Sequence, residues 1–208
     1  MIKYIIAIFI SAVISYLLGS CNSSIITVKL LKGEDIRKFG SGNAGLTNTL
    51  RCFGKLPALF TLIGDLLKGV IAVFICKFIC TLLDAGIGLD GDIRYIGYIA
   101  GLFAVIGHIF PVYYGFKGGK GVLVGVSVFL VIDPAVFGIL IFIFAVTLIL
   151  THYVSVSSIT ASVCCPIVTF LMRYFIEGIS IEISIIHTLL TLPICCLLYT
   201  SPSPRDTR

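Results

Sequence analysis

Long runs of apolar residues follow one another along the whole chain, and short polar stretches that carry most of the charges separate them. A run of about 20 apolar residues has the length that an α-helix needs to cross a bilayer, and a helix satisfies its backbone polar groups internally. The pattern therefore predicts an all-α fold, a polytopic membrane bundle of about seven transmembrane helices. The predicted helices cover residues 2–20, 56–83, 93–110, 122–132, 135–150, 157–174 and 181–198.

The run at 122–132 is too short to cross a bilayer by itself. Either the Gly-Lys-Gly stretch before it lengthens this helix, or surrounding protein shields it from lipid. The alternative is a bundle of six crossing helices, in which this run enters the membrane without crossing it.

The composition agrees with a membrane protein and excludes a soluble globular one. Hydrophobic residues make up 58% of the chain and charged residues 12%, which leaves too little polar surface to cover a soluble domain. One bundle uses up most of the 208 residues, so we expect a single membrane domain over residues 1–199. The net charge of +5 comes from loops beside apolar runs, which indicates membrane topology and no nucleic-acid partner.

The eight cysteines do not form a recognisable metal or disulfide pattern. Six of them lie inside apolar runs, where a free cysteine behaves as a small hydrophobic residue. The other two, Cys21 and Cys52, have no Cys or His at the spacing of zinc ligands. We therefore expect no metal site.

The distribution of charge orients the predicted bundle. Basic residues concentrate in the loops after the first and third runs, and acidic residues dominate the alternate loops. Because loops rich in Lys and Arg stay in the cytoplasm, these basic loops face the cytoplasm and the N-terminus lies outside. The polar segments 40–51, 116–121 and 153–158 then open on one cytoplasmic face. The acidic residues are Asp84, Asp90, Asp92, Asp133, Glu177 and Glu182.

The predicted loop at 40–51 has the composition of an anion-binding site. It contains three glycines, three hydroxyl side chains and two amides, and it ends in Arg51. Glycines let backbone N–H groups converge, Ser and Thr add donors, and arginine offers a planar fork to phosphate oxygens. A flexible tether is the alternative, although an ordinary turn needs fewer special residues.

The loop at 116–121, Phe-Lys-Gly-Gly-Lys-Gly, indicates a second phosphate site on the same predicted face. It is not a P-loop, because no strand precedes it and no Lys-Ser or Lys-Thr pair follows. Two phosphate-binding loops in a membrane protein predict two phosphorylated substrates that meet at the lipid surface.

Charged residues near the apolar runs are further candidates. Asp65 and Lys68 share a helix face, and charges within a span usually have a function, although Lys68 extending to the interface is the alternative. His108 either titrates near neutrality or satisfies a helix end. Asp35 and Arg37 either support the site or form a surface ion pair of little energetic value.

Six polar motifs stand in order between Gly19 and Ile159. They are Gly19-Ser20, Lys32-Gly-x-Asp35-Ile-Arg37-x-x-Gly40-Ser-Gly-Asn-x-Gly45-x-Thr-Asn-x-x-Arg51, Asp65-x-x-Lys68-Gly69, Gly107-His108-x-Phe110-Pro111, Phe116-Lys-Gly-Gly-Lys-Gly-Val122 and Tyr153-Val-Ser-x-x-Ser158-Ile159. In order and spacing they resemble the bacterial acyl-phosphate:glycerol-3-phosphate acyltransferases, the PlsY family.

The resemblance implies a seven-helix, multi-pass enzyme of the bacterial inner membrane, with its active site facing the cytoplasm. The implied reaction moves an acyl group from acyl phosphate to the 1-hydroxyl of sn-glycerol 3-phosphate and gives lysophosphatidic acid and phosphate. No cofactor is implied. The implied partners are the two substrates, membrane lipids and the soluble enzyme that forms acyl phosphate.

The resemblance also implies roles for individual residues. Ser41 and Arg51 are the expected catalytic residues, and a substrate phosphate itself serves as the base in this family. Asp35, Arg37, Asp65, Lys68 and His108 are the expected supporting residues. The expected phosphate-binding residues are Gly42, Asn43, Gly45, Thr47, Asn48, Lys117, Gly118, Gly119, Lys120, Gly121 and either Ser155 or Ser158.

The chain departs from the family pattern at two places. His152 stands where an arginine commonly precedes Tyr-Val-Ser. Family members continue after the last span into an Arg-His-x-x-Asn motif that supplies site residues, whereas residues 200–208 here contain two prolines and no apolar period. We therefore expect residues 200–208 to be a non-native tail.

A transporter or flippase of a phosphorylated metabolite is the alternative function, because basic residues in a membrane bundle also suit that task. Transporters often contain repeated halves and interrupted helices at the membrane midplane. The sequence shows no such repeat, and its polar segments gather on one side. An acyltransferase is therefore the favoured prediction.

Overall fold

The computed structural model describes residues 2–83 and 94–199, which form nine α-helices and no β-strand. Two short 3₁₀ turns, Ile36–Lys38 and Val112–Tyr114, and a π-helical turn, Met172–Ile176, complete the described structure. The helices are α1 Ile2–Ser20, α2 Ser23–Lys32, α3 Leu46–Phe53, α4 Lys55–Leu82, α5 Arg94–Ile109, α6 Val122–Ile132, α7 Pro134–Thr151, α8 Val154–Leu171 and α9 Ile181–Tyr199.

The predicted all-α membrane bundle is confirmed, since every apolar run forms a helix. The count of seven crossing helices, the outside position of the N-terminus and the tail at 200–208 stay predictions. The tail and the acidic residues at 84, 90 and 92 lie outside the described residues. Among the described residues, the segments long and apolar enough to cross a membrane are Ile2–Lys32, Lys55–Leu82, Arg94–Tyr114, Pro134–Thr151 and Val154–Ile176.

Three segments predicted as loops are partly helical, and there the sequence prediction was wrong. The segment after the first apolar run forms α2, Ser23–Lys32. The glycine-rich loop ends at Gly45, and residues 46–51 belong to α3. Glycines crowd the first half of this segment, whereas Leu46 to Arg51 contains neither Gly nor Pro and can continue as a helix. The polar segment 153–158 is not a turn either, because α8 begins at Val154.

Small residues bring the helices around the polar loops into close contact. A side chain on Gly107 of α5 would collide with the backbone of Tyr16 and Ser20 in α1. A side chain on Gly69 of α4 would collide with Ser127 of α6. The close packing of α5 on α1 and of α6 on α4 brings the end of α5 and the start of α6 next to the segment that follows α1. The fully buried residues of this core include Ala72, Val73, Ala100, Val105, Val124 and Val128.

An ion-pair network lies at the end of the bundle away from the polar loops. Arg173 is fully buried and contacts the carboxylates of Asp133 and Glu177, and Arg94 contacts Glu177 at 2.9 Å. Burial alone would raise the pKa of Glu177, but hydrogen bonds from Arg94 and Arg173 outweigh it and lower the pKa below its ordinary value. The network therefore ties α5, the α6–α7 junction and the end of α8 together.

Arg173→Met is expected to lower the free energy of unfolding by about 3 to 5 kcal/mol, because it leaves the buried carboxylate of Asp133 without its partner. Thermal unfolding in detergent at pH 7 measures the effect. The control is Arg94→Met, which removes a half-exposed ion pair worth roughly 0 to 1 kcal/mol. Equal unfolding temperatures for the two variants would contradict the assignment.

The same network predicts a loss of stability in acid. The pKa of Glu177 is lowered on folding from its ordinary value of 4.5, so its contribution is present above that pH. The contribution is lost as the pH falls through the lower, folded value. We therefore expect the unfolding temperature to fall on acidification, and to fall less in a Glu177→Gln variant.

Candidate active site

A polar cavity of about 390 Å³ lies where the first glycine-rich loop and α3 meet the second loop and the start of α8. The predicted residues that line it are Ser41, Asn43, Gly45, Thr47, Asn48, Arg51, Asp65, His108, Lys120, Gly121, Ser155 and Ser158. The predicted residues that do not line it are Asp35, Arg37, Gly42, Lys68, Lys117, Gly118 and Gly119.

Asn48 organises the first loop from its buried position on α3. Its side-chain amide donates to the carbonyls of Phe39 and Asn43, at 3.0 and 3.1 Å, and its Oδ1 accepts from the backbone N–H of Ser41 at 3.1 Å. Gly40 lies against the Asn48 side chain with φ +57°, a left-handed conformation that favours glycine. Asn48 thus lines the cavity, but its hydrogen-bonding capacity serves the shape of the loop.

Arg51 reaches the cavity from a helix that is held in place by buried hydroxyls. It lies one turn after Asn48 on α3, and its side chain is exposed. The hydroxyls of Thr49 and Ser24 are 2.6 Å apart, which fixes α3 against α2. Ser41 lines the same cavity from the loop. The Ser41 hydroxyl and the Arg51 guanidinium therefore belong to residues that line one cavity, the first held by a loop and the second by a helix.

The second loop is held by backbone contacts that only glycine permits. Gly118 and Gly119 donate to the carbonyls of Ile109 and His108 at 3.1 Å, and Gly118 accepts from Ala44 of the first loop at 3.4 Å. A side chain on Gly119 would collide with the Ala44 carbonyl and the His108 ring. These glycines place the next residue, Lys120, on the cavity wall.

Asp35 and Arg37 connect the two loops and are more than a surface ion pair. Arg37 makes a bidentate contact with the Asp35 carboxylate at 2.7 to 3.1 Å, and this hydrogen bonding lowers the pKa of Asp35. Its Nη1 also donates to the carbonyls of Tyr114 and Lys117, at 2.7 and 3.4 Å. The pair therefore braces the second loop from outside the cavity.

Asp65, Lys68 and His108 meet in the bundle at the floor of the cavity. All three are buried, and Lys68 does not extend to the interface. Its Nζ lies 2.9 Å from Oδ1 of Asp65, 2.7 Å from Nδ1 of His108 and 3.3 Å from the carbonyl of Cys21. Asp65 and His108 reach the cavity wall.

The start of α8 supplies the third side of the cavity. Ser155 and Ser158 both line it, and Ser158 Oγ donates to the Ser155 carbonyl at 3.0 Å. His152, which ends α7 in a left-handed conformation at φ +60°, and Tyr153 also line it. The sharp change of direction at His152 turns the first residues of α8 toward the two loops.

An apolar cavity of about 180 Å³ adjoins the polar one. Sequence reasoning missed it, because apolar residues in membrane runs carry no signal that separates a groove from a packed core. The two cavities share Val122, Leu123, Phe144 and Ser158. The remaining lining comes from α6, α7, α8 and α9 and includes Phe129, Phe137, Leu140, Ile141, Cys165 and Cys195.

The two adjoining cavities can accept an amphipathic molecule. The cationic and hydroxyl groups of the polar cavity suit a phosphate, and the walls of the apolar cavity suit a hydrocarbon chain. Among the described residues, no three His, Cys, Asp or Glu side chains cluster in a way that could hold a metal ion. The positive charge at the cavity wall comes from Arg51 and Lys120.

Comparison with known proteins agrees with this geometry. A family model described as glycerol-3-phosphate acyltransferase matches residues 9–201. Glycerol-3-phosphate acyltransferase of Staphylococcus saprophyticus is 40% identical over 86% of this chain and 88% of its own length. The Clostridioides difficile enzyme of the same name is 39% identical over 81% of this chain and 80% of its own.

A solved structure is similar over nearly the same extent. The crystal structure of PlsY, an integral membrane glycerol 3-phosphate acyltransferase, in its glycerol 3-phosphate form superposes with a TM-score of 0.68 and 31% sequence identity. The match covers 89% of this chain and 86% of that one. The chain therefore belongs to the PlsY family of glycerol-3-phosphate acyltransferases and is an integral membrane acyltransferase.

Proposed function

We propose that this protein transfers an acyl group from acyl phosphate to the 1-hydroxyl of sn-glycerol 3-phosphate, an early step of phospholipid biosynthesis. The observation that carries the proposal is that the two cavities adjoin each other. A polar cavity with Ser41, Arg51 and Lys120 on its wall shares four lining residues with an apolar one. The polar cavity suits a phosphate headgroup and a small polar acceptor, and the apolar cavity suits a hydrocarbon chain.

The reaction needs positioning and charge stabilisation more than strong acid–base catalysis. Acyl phosphate is a mixed anhydride, so the 1-hydroxyl oxygen attacks its carbonyl carbon and the bond from that carbon to the phosphate oxygen breaks. The hydroxyl proton passes to the departing phosphate. Preorganised donors at the developing charge and a fixed alignment of the two substrates supply most of the rate acceleration.

The residues on the cavity wall divide between the two substrates. Ser41 and Arg51, on the first loop and α3, would bind the phosphate of acyl phosphate and stabilise the charge that develops as it leaves. Lys120 and one of the two serines of α8, Ser155 or Ser158, would bind the phosphate of glycerol 3-phosphate. The acyl chain would extend along α6 and α8 into the apolar cavity.

We place this site on the cytoplasmic side of a bacterial inner membrane, with the N-terminus outside. The support is the concentration of basic residues at the cavity end of the bundle. A water-soluble acceptor would then reach the polar cavity from the cytoplasm, and the soluble enzyme that forms acyl phosphate would deliver it on the same side. The product, lysophosphatidic acid, would leave directly into the bilayer.

Phosphate release from acyl phosphate by the purified protein tests the proposal. We expect release to depend on glycerol 3-phosphate and to match lysophosphatidic acid formation one to one. EDTA is expected to change neither rate, because Arg51 and Lys120 provide the positive charge at the cavity wall. A rate that EDTA abolishes and Mg²⁺ restores would contradict this mechanism.

The same preparation in sealed vesicles separates the alternative. Uptake of glycerol 3-phosphate without acylation would indicate a transporter and overturn the proposal. Formation of lysophosphatidic acid in detergent, where no compartment exists, would support the acyltransferase.

A further inference from the structure

We propose that Asp65, Lys68 and His108 form a buried relay that positions the Lys120 loop, residues 118–120, and thereby determines the affinity for glycerol 3-phosphate. This inference deepens the proposed function and rests on it. His108 is a positioning residue in this account, because it acts through the loop and not on the reacting atoms.

The relay is charged although it is buried. Lys68 is 6% exposed, and Asp65 and His108 are 2% exposed each. Taking an ammonium and a carboxylate out of water costs several kcal/mol per ion, and well-packed apolar residues often give equal or better stability. Packing alone therefore does not explain these charges. Their place at the cavity floor points to a role in the site.

Lys68 determines which nitrogen of His108 carries a proton. An ammonium only donates hydrogen bonds, so Nδ1 of His108 accepts from Lys68 at 2.7 Å. The neutral ring then carries its proton on Nε2. Asp65 holds the Lys68 ammonium in place at 2.9 Å and balances its charge. The ring orientation is thus fixed through Nδ1, the nitrogen that contacts Lys68.

His108 holds the second loop with both its backbone and its ring. Its carbonyl accepts from the N–H of Gly119 at 3.1 Å. Its Nε2 lies against Gly119 so closely that a side chain on that residue would collide with it. The next residue is Lys120, which lines the cavity. A turn of the imidazole would therefore displace the backbone from which Lys120 extends.

The test measures the dissociation constant of glycerol 3-phosphate by isothermal titration of the purified full chain, with inorganic phosphate as a second probe. Lys68→Met is expected to weaken glycerol 3-phosphate binding by at least tenfold. The matched control is Lys77→Met, the same change nine residues further along α4, which is expected to leave binding unchanged. Where turnover is measured, KM for glycerol 3-phosphate should rise and KM for acyl phosphate should stay within twofold.

Two substitutions at His108 separate positioning from general stability. His108→Asn keeps an acceptor for Lys68 but removes the atoms beside Gly119, whereas His108→Gln places an amide there. We expect the Gln variant to bind glycerol 3-phosphate several-fold more tightly than the Asn variant, at similar unfolding temperatures.

The double variant Asp65→Asn/Lys68→Met removes both charges together. Relative to Lys68→Met, it should regain stability but not affinity for glycerol 3-phosphate.

The outcomes distinguish the relay from the proposed function. If the unmodified protein binds neither glycerol 3-phosphate nor inorganic phosphate, the substrate assignment fails and the relay fails with it. If the unmodified protein binds and Lys68→Met binds equally well, the relay alone is wrong. Equal losses for Asn and Gln at His108, or affinity regained in the double variant, would also overturn it, because affinity would then follow stability.

Discussion

Arg51→Ala is expected to lower the turnover of acyl transfer by about two to three orders of magnitude, which corresponds to roughly 3 to 4 kcal/mol for one preorganised donor at a developing charge. The Arg51 side chain is exposed and lines the polar cavity, so its loss removes little packing. The bundle should therefore stay folded. Initial rates of lysophosphatidic acid formation, together with thermal unfolding, measure both effects.

Two further variants make this expectation specific. Arg51→Lys keeps the charge but not the planar fork, so an intermediate rate is expected. Lys55→Ala removes an exposed cation four residues further on that does not line the cavity, and its rate should be normal. An Arg51→Ala enzyme with near-normal turnover would remove Arg51 from the site.

Lys120→Ala is expected to weaken the binding of glycerol 3-phosphate by roughly tenfold to a hundredfold, since a hydrogen bond to a charged group contributes about 1.5 to 3 kcal/mol. The motivation is its place on the cavity wall. Titration with glycerol 3-phosphate gives the dissociation constant. The KM for acyl phosphate should change much less.

The neighbouring lysine provides the control for this second expectation. Lys117 belongs to the same loop but does not line the cavity, and its backbone carbonyl, which accepts from Arg37, is retained in an alanine variant. Lys117→Ala should therefore bind glycerol 3-phosphate normally. An equal loss for both lysines would indicate a general effect of loop charge and not a specific contact.

The hydrophobic pattern was sufficient for the class of the protein and for its helices. The length of an apolar run alone predicts a membrane helix, because a helix is the structure in which a single segment satisfies all its backbone hydrogen bonds within lipid. Each of the predicted runs is helical. The pattern missed the short helix α2, the short amphipathic helix α3 and the first turn of α8. Polar residues there are compatible with both a turn and a helix.

Side-chain chemistry in the sequence singled out the segments that line the polar cavity, and the roles expected of their residues stay predictions. The glycine-rich segment and the lysine-glycine loop both contribute residues to the wall of that cavity. The role expected for Asn48, contact with phosphate, contrasts with its three hydrogen bonds inside the loop. Such a distinction depends on which partners lie within about 3 Å, which composition does not encode.

Only the tertiary structure decided which polar groups meet across the bundle. Lys68 and His108 are 40 residues apart in the chain, and so are Asp133 and Arg173, yet each pair is in direct contact. The apolar cavity beside the site likewise needs the packing of α6, α7, α8 and α9. An apolar run specifies that a helix lies in the membrane, but nearly all its faces are apolar, so neither its neighbours nor its rotation follow from it. Close contacts at small residues such as Gly69 and Gly107 determine which helices are neighbours and how each helix is rotated. These contacts are formed between helices, so they are a property of the tertiary structure.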